Sequence, residues 1–376
     1  MNPSEIIQSQ PRAWSILSRS FEARRVASTY LFSGREGIGQ WPLAITFAAL
    51  LNCESPNKSD NHDCPVAPCG TCSRCRNILA LSHQALSLIV PIPSHKNLEE
   101  AIELTAAVLE EKRAEPYCIL TSSTPTSIPI SMAREVKRAL SRRGDPGITR
   151  VVLFYQMDKM LAQSADALLK LIEEPPPNTV IILTAERPES LLPTIQSRSQ
   201  RIRFERVPED VAVRYLKEHY DIDGDPARLA ARISEGVLGR AIALSTSSDD
   251  GESRRAVGFL LFKSLVLDDN PDMVGHLIDL VDMRDRGEIE ELLRLWQSLM
   301  RDCQYYAASG DDQNFVNVDF ASEIVKLSRA FEHTGAASAA AGHVKNALAD
   351  LKRNVHIPPA LVALSLKLKA DLRASG

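Results

Sequence analysis

Short apolar segments alternate with stretches of helical periodicity through the first half of the chain. A segment that is apolar along its whole length is typical of a strand covered on both faces, as in a parallel sheet flanked by helices. Leu43 and Leu51 bound one intervening helical stretch, and residues 97–113 form another. The pattern therefore predicts an α/β domain on a parallel sheet. The predicted strands are residues 30–33, 86–90, 151–155 and 180–183.

The alternation stops after Pro208, and apolar residues then recur at helical spacing to about residue 372. Residues 209–245 predict short helices, with breaks expected at Gly236 and Gly239. Further on, Ile289 and Trp296 lie on one face of a longer predicted helix. The second half is therefore predicted to be all-α.

Composition narrows the class of protein without identifying it. A chain of 376 residues with 44% hydrophobic content can form two or three domains. It has no apolar run of about 20 residues, so no membrane span is expected. The first residues lack a basic and then apolar signal segment, so a cytoplasmic protein is expected. A net charge of −4 gives no overall reason to expect nucleic-acid binding.

A glycine-rich loop joins the first predicted strand to the next helix. In a phosphate loop, G-x-x-x-x-G-K-[ST], backbone amides hold the phosphates, the lysine reaches them, and the hydroxyl holds Mg²⁺. Gly34 and Gly39 have this spacing, but Gln40 and Trp41 stand where the lysine and the hydroxyl belong. We therefore interpret the loop as vestigial, and ATP hydrolysis is not expected.

The end of the strand at 151–155 supports the same interpretation. Nucleotide hydrolases place acidic residues at such a strand end to hold Mg²⁺. Tyr155 and Gln156 stand there instead, and Asp158 comes later. In the alternative interpretation, Tyr155 and Gln156 are ordinary strand-end residues of an unrelated α/β fold.

Five of the seven cysteines lie within residues 53–75. In a long chain without a secretion signal, such clustering favours a metal site over disulfides, with free buried thiols as the alternative. Tetrahedral Zn²⁺ needs four ligands, and four protein ligands make a structural site closed to water. The fourth ligand is left open. The candidates are Cys69, Cys72 and Cys75, completed by Cys53 or Cys64, with His62 a weaker option.

A basic segment at 194–203 contains Arg198 and has two interpretations. It is either a solvated loop leading into a strand, or it carries an arginine that projects from the sheet edge into a neighbour's nucleotide site. Arginine suits the second role because its planar, permanently charged group neutralises a transferring phosphoryl group.

Together and in this order, these segments resemble the bacterial clamp-loader branch of the AAA+ ATPases, which serves DNA polymerase III. The resemblance covers roughly residues 1–205 and is weak in the helical remainder. It implies a RecA-like domain at 1–206 with an inserted zinc module at about 53–75, a helical lid at 207–250 and a helical collar at 251–376. The matching segments are 30–40, 51–53, 69–75, 167–176 and 191–198.

The resemblance also implies residue roles. Arg198 corresponds to an arginine finger that acts in trans, although Ser199 replaces the family's usual cysteine. Arg240 corresponds to a second sensor arginine, and the insert at about 95–129 receives no function. The implied zinc ligands are Cys53, Cys69, Cys72 and Cys75, with Cys64 as an alternative.

Family members divide into gamma or tau motor subunits, which keep the lysine and acidic pair, and a non-hydrolysing class, which typically loses them. The residues at 40, 41, 155 and 156 place this chain in the second class. The implied partners are the motor and delta subunits and, indirectly, the sliding clamp and primer–template DNA. The alternatives are a motor with an unusual loop, and a zinc-containing DNA-binding protein that would use Arg74 and Arg76.

Overall fold

The computed structural model describes residues 1–58, 66–120, 122, 124–140, 145, 147–160, 170–246, 249–267, 286–332, 334–351 and 357–373. The chain forms two compact units. The first contains the described residues of Met1–Leu120, Thr124–His219 and Gly236–Ala243, and the second contains most of the remainder, including Tyr220–Glu235 and Leu244–Gly376. The boundaries at 206 and 250 stay a prediction.

A five-stranded sheet organises the first unit. Its order is β4-β7-β8-β1-β9, and every neighbouring pair is parallel. The predicted α/β domain with a parallel sheet is therefore confirmed, and helices follow it in the chain. The strands of the chain are β1 (Thr29–Ser33), β2 (Asn57–Lys58), β3 (Val66–Ala67), β4 (Leu86–Ile89), β5 (Ile92–Pro93), β6 (Thr126–Ser127), β7 (Arg150–Phe154), β8 (Thr179–Ala185) and β9 (Gln200–Arg203).

Both faces of the central strands β1, β7 and β8 are buried, which explains why these strands are mostly apolar, whereas the edge strand β9 is polar and mostly exposed. Successive side chains of a strand point to opposite faces. Accordingly, Tyr30 and Phe32 join one hydrophobic core, and Leu31 joins the other. All seven residues of β8 are buried. Burial on both faces is therefore the physical cause of the continuous apolar segments in the sequence.

Helices cover the sheet in the first unit. One helix ends at Ser9 and the next begins at Pro11, because proline is favoured at the first position of a helix. The helices with most or all of their residues in this unit are α1 (Pro3–Ser9), α2 (Pro11–Glu22), α3 (Gln40–Asn52), α4 (Ser73–Leu79), α5 (Leu98–Ala114), α6 (Ile130–Leu140), α7 (Pro193–Arg198), α8 (Glu209–Tyr220) and, after the helix at 224–233, α10 (Leu238–Thr246).

Two antiparallel pairs of very short strands were not predicted. β2 pairs with β3 between the predicted cysteine ligands, and β5 pairs with β6 across the insert. Each strand has two residues, which is too short for a period of two to show in the sequence.

The predicted helix break at Gly239 is wrong. Gly239 lies inside α10, and its amide donates to the carbonyl oxygen of Gly37 at 2.9 Å. A Cβ atom at this position would lie 2.0 Å from the carbonyl oxygen of Tyr117. The glycine is therefore explained by the close approach of another main chain. The break at Gly236 is confirmed, since Gly236 has φ +80° between two helices.

The described part of the second unit is helical. Its core surrounds Trp296 of the long predicted helix, and that helix ends at Ser309. None of the described helices is both long and apolar enough to cross a membrane. The remaining helices of the chain are α9 (Gly224–Ile233), α11 (Asp249–Leu267), α12 (Arg286–Ser309), α13 (Ala321–Leu327), α14 (Thr334–Leu351) and α15 (Ile357–Arg373).

Candidate functional site

The phosphate loop, residues 34–41, connects β1 to α3 as the sequence predicted. The amide of Gly34 donates to the carbonyl oxygen of Ala185 at the end of β8, with a distance of 3.1 Å. Gly37 and Gly39 have φ values of +76° and +122°, which side chains rarely tolerate. The chain therefore keeps the strand–loop–helix backbone of a nucleotide-binding fold.

The two residues that replace the loop's reactive groups are turned into the protein. Nε2 of Gln40 donates to the carbonyl oxygen of Gly34 at 2.7 Å, so the side chain folds back onto its own loop. Trp41 is only 1% exposed, and its ring meets that of Tyr155 edge-to-face at 5.3 Å. Among the described residues, Trp41 Nε1 has no hydrogen-bond partner. Neither residue can supply the cation or the metal-binding hydroxyl of a working loop.

The end of β7 likewise presents no carboxylate in the usual place. Burial raises the pKa of Tyr155 well above its ordinary value, so this hydroxyl stays protonated. The Gln156 amide donates to Thr184 Oγ1 at 2.8 Å. The carboxylate of Asp158 accepts the amides of Glu186 and Arg187 at 3.4 and 3.3 Å. Asp158 thus links two strand ends.

Lys112 of the insert is a buried residue that sequence reasoning missed. It has no exposed surface, and its Nζ donates to the Tyr155 hydroxyl at 3.1 Å and to the carbonyl oxygen of Cys118. Nζ lies 4.5 Å from the centre of the Tyr155 ring and 5.9 Å from that of Trp41. Burial lowers the pKa of Lys112, and the nearby Cys118 and Glu36 oppose that shift.

Arg198 is placed differently from the loop residues. It ends α7, directly before the edge strand β9, and its side chain is 49% exposed. Its Nε lies 3.4 Å from Glu173 Oε1. Such an exposed ion pair contributes roughly 0–1 kcal/mol, so it orients the guanidinium without immobilising it. Ser199 donates from Oγ to the carbonyl oxygen of Ile195, a local contact beside the arginine.

Four of the predicted ligands come together in one cluster. The Sγ atoms of Cys53, Cys69, Cys72 and Cys75 all lie within 4.8 Å of one another, and Cys69 and Cys75 are 3.9 Å apart. Four thiolates at about 2.3 Å from a tetrahedral Zn²⁺ would be about 3.8 Å apart. The donor set therefore fits zinc in both chemistry and spacing. Cys64 and His62 lie outside the described residues.

Local backbone geometry brings the thiols together. Cys53 directly follows the last residue of α3, and Cys72 accepts the Cys75 amide at the start of α4. The Cys69 amide donates to Cys53 Sγ at 3.3 Å, and the Cys72 amide donates to Cys69 Sγ at 3.3 Å. The bond from the Cys72 amide is the main cause that lowers the pKa of Cys69 to about 6. A thiolate is the form that binds metal.

The surroundings of the cluster do not favour a nucleic-acid surface. Arg74 Nε lies 3.5 Å from Glu54 Oε1, and Arg74 NH1 donates to the carbonyl oxygen of Gly147. A phosphate-binding face needs basic groups directed to solvent. One of the two arginines on which that alternative depends is therefore held by a carboxylate.

A family model described as "DNA polymerase III, delta subunit" matches residues 9–208. The chain belongs to this family. The clamp-loader resemblance is thereby confirmed, and curated relatives identify the type as delta-prime. This delta-prime-type chain is 26% identical over 254 residues to the delta-prime subunit of Bacillus subtilis (strain 168), a match that covers 67% of this chain and 64% of that protein.

Further relatives fall in the same group of subunits. The delta-prime subunit of Escherichia coli (strain K12) is 25% identical over 228 residues, which cover 61% of this chain and 57% of that protein. The tau subunit of the same organism is 26% identical over 261 residues, which cover 67% of this chain and 34% of that protein. The matches therefore span less than two thirds of each relative's length.

A solved structure, a gamma subunit-related protein from Thermotoga maritima, is a distant likeness. It is 17% identical, with a TM-score of 0.32 over 76% of this chain and 96% of that chain, which is too low to inform the fold.

Proposed function

We propose that this chain is a non-hydrolysing subunit of a DNA polymerase III clamp loader and that Arg198 acts in trans at the ATP site of a neighbouring motor subunit. The single observation that supports this most is a contrast in exposure. Gln40 and Trp41 are buried, whereas the Arg198 side chain is 49% exposed at the sheet edge. The chain therefore has a cation directed outward at Arg198 and none at positions 40 and 41, where a working loop has its lysine and hydroxyl.

The chemistry follows from these positions. Phosphoryl transfer depends on neutralising charge that spreads over the transferring group, and an arginine from a second subunit can supply that neutralisation. Among the residues that the structure describes, Glu173 is the carboxylate that pairs with the Arg198 guanidinium, on an exposed surface. A phosphate with more negative charge than one carboxylate would compete for it effectively.

The motor alternative receives no support from the loop. It would need a cation beside the loop and oxygen ligands for Mg²⁺. Gln40 bonds its own loop, and Asp158 accepts two backbone amides. The proposed partners are therefore a gamma or tau motor and delta, with the sliding clamp and primer–template DNA contacted through the assembly. The lid at 207–250 and the collar at 251–376 belong to the same proposal.

We also propose that Cys53, Cys69, Cys72 and Cys75 hold a structural Zn²⁺, with Cys64 as the alternative to Cys53. When bound, the ion would join four thiolates that already lie within 4.8 Å of one another. With four protein ligands, it has no open position for water, so its role is to fix the segments after α3 and before α4.

The test is ATP turnover in a reconstituted complex that carries Arg198→Ala in this chain. The expected result is a fall of about 10³-fold at the ATP site that this chain completes, with unchanged assembly. The matched control is Arg203→Ala, which removes an exposed arginine five residues further on. Equal turnover in the Arg198→Ala, Arg203→Ala and wild-type complexes would refute the arginine-finger role.

A further inference from the structure

Part of the insert lies directly on the phosphate loop. We call residues 112–120 the clasp. They begin near the end of α5 and continue into the segment that follows it. The clasp and the loop are far apart in sequence but belong to the same compact unit. The sequence did not predict the contact between the clasp and the loop.

The clasp fits the loop at its glycines. A Cβ atom at Gly37 would lie 2.8 Å from Cγ1 of Ile119 and 3.2 Å from the carbonyl oxygen of Tyr117. A Cβ at Gly39 would lie 3.4 Å from the Tyr117 ring. These are contact distances at which a side chain on the loop would not fit without a shift. The lack of side chains at Gly37 and Gly39 therefore leaves the room that the clasp fills.

Tyr117 is anchored on its other sides as well. Its hydroxyl lies 2.9 Å from Ser9 Oγ, and its ring meets the Tyr215 ring edge-to-face at 5.3 Å. The residue is 1% exposed. An aromatic ring buried with its hydroxyl hydrogen-bonded is a stable element of a core.

A buried amine and a carboxylate hold the two ends of the clasp. At one end, Lys112 donates to Tyr155 and to Cys118 of the clasp itself. At the other end, the Leu120 amide donates to Oε1 of Glu36, a loop residue, at 2.8 Å. The same Glu36 oxygen accepts from the Tyr155 hydroxyl at 3.4 Å. Lys112, Tyr155 and Glu36 thus form a connected polar network inside the fold.

Little space remains beside the loop. The cavity lined by residues such as Gly34, Glu36 and Gln40 has a volume of about 20 Å³. Small-molecule sites are typically about 300–1,000 Å³. A volume of about 10–15 Å³ is already needed for a single water molecule. This cavity is therefore large enough for a water molecule and far smaller than a typical ligand site.

We propose that the clasp is a permanent intramolecular occupant of the phosphate loop, with Lys112 Nζ as its buried hydrogen-bond donor, so that the loop takes no nucleotide and acts as a fixed joint. Gly239 of α10 also contacts both segments. Its amide donates to the carbonyl oxygen of Gly37, and its Cα lies against the main chain of Tyr117. The loop, the clasp and the start of α10 are therefore held together without a ligand. The inference rests on these contacts and not on the role of Arg198.

Hydrogen exchange of the full chain, read by mass spectrometry, tests the proposal. In the wild type, peptides covering residues 34–41 and 115–120 should exchange slowly, and millimolar Mg–ATP should change neither. In Lys112→Ala, both peptides should exchange about ten- to hundredfold faster, because the buried hydrogen bonds that Lys112 donates to Tyr155 and Cys118 are lost. Slower exchange of residues 34–41 on adding Mg–ATP to the wild type would overturn the proposal.

Two further variants keep the test decisive. Glu103→Ala changes an exposed residue of α5 that lies outside the clasp and should leave both peptides unchanged. If Lys112→Ala also speeds hydrogen exchange in β7 and β8, the comparison uses Tyr117→Phe instead. This variant removes only the hydroxyl that lies 2.9 Å from Ser9 Oγ. We expect it to speed exchange of both peptides about two- to tenfold. Faster exchange of residues 115–120 without residues 34–41, in whichever variant is read, would overturn the coupling of clasp and loop.

Discussion

The phosphate loop and Arg198 belong to the same sheet and have opposite surroundings. The loop follows β1 and Arg198 precedes β9, the strand beside β1. In the loop, Trp41 stands at the position of the metal-binding hydroxyl and is 1% exposed. By contrast, 49% of the Arg198 side chain is exposed. Core-forming residues have replaced reactive ones at the first position, and a reactive group remains on the surface at the second. This difference is what a subunit that completes another subunit's site requires.

The largest effect is expected from removing the proposed zinc ion at the C-terminal end of α3, the helix that starts at the loop. α3 begins at Gln40 and its last residue precedes Cys53, so the proposed zinc site holds its C-terminal end. Binding free energies of structural zinc sites reach about 10–16 kcal/mol in small peptides, so removing the ion should release residues 53–79. Chelation followed by hydrogen exchange measures this. We expect fast exchange there with β7 and β8 still protected, and metal analysis of the purified chain showing no bound zinc would contradict it.

A smaller effect is expected from Trp41→Ala. Truncating a fully buried tryptophan costs about 3–5 kcal/mol, because it removes packing and leaves a cavity. Arg198→Ala should change the free energy of unfolding by less than about 1 kcal/mol. Denaturant unfolding of both variants measures the difference. If the two variants were equally stable, the contrast between a core position and a surface position would fail.

The smallest effect is expected from Glu173→Gln, which removes the charge that faces Arg198. An exposed pair at 3.4 Å contributes at most about 1 kcal/mol to folding. Denaturant unfolding should therefore give a free energy close to that of the wild type, with Glu174→Gln as the matched control in the same segment. A loss of several kcal/mol would show that the pair is a structural tie and that Arg198 serves the fold.

The sheet could be predicted from the sequence because its signal is local. β7 and β8 are continuous apolar runs, and their burial on both faces is the physical cause of that pattern. The loop and the cysteine spacing are also local, and the residues at Gly34, Gly39 and Cys69–Cys75 lie where the motifs placed them. Cys64 and residues 167–169 of the matched segments fall outside the described residues.

Features that depend on long-range contacts could not be predicted. Lys112 lies among glutamates on a helix that its sequence marks as solvated, and only its contacts with Cys118 and Tyr155 explain its burial. Gly239 resembled a helix break because the nearby main chain of Tyr117 is not visible in the local sequence. The two-residue strands β5 and β6 could not be predicted for a different reason, because they are too short to show a period in the sequence.

One measurement tests the central claim most directly: ATP turnover of the reconstituted complex with Gln40→Ala or with Arg198→Ala in this chain. Gln40 donates to the carbonyl oxygen of its own loop residue Gly34, so turnover with Gln40→Ala should stay within about twofold of the wild type. Turnover with Arg198→Ala should fall by about 10³-fold at the site that this chain completes. The opposite pattern, with turnover lost on changing Gln40 and kept on changing Arg198, would contradict the account.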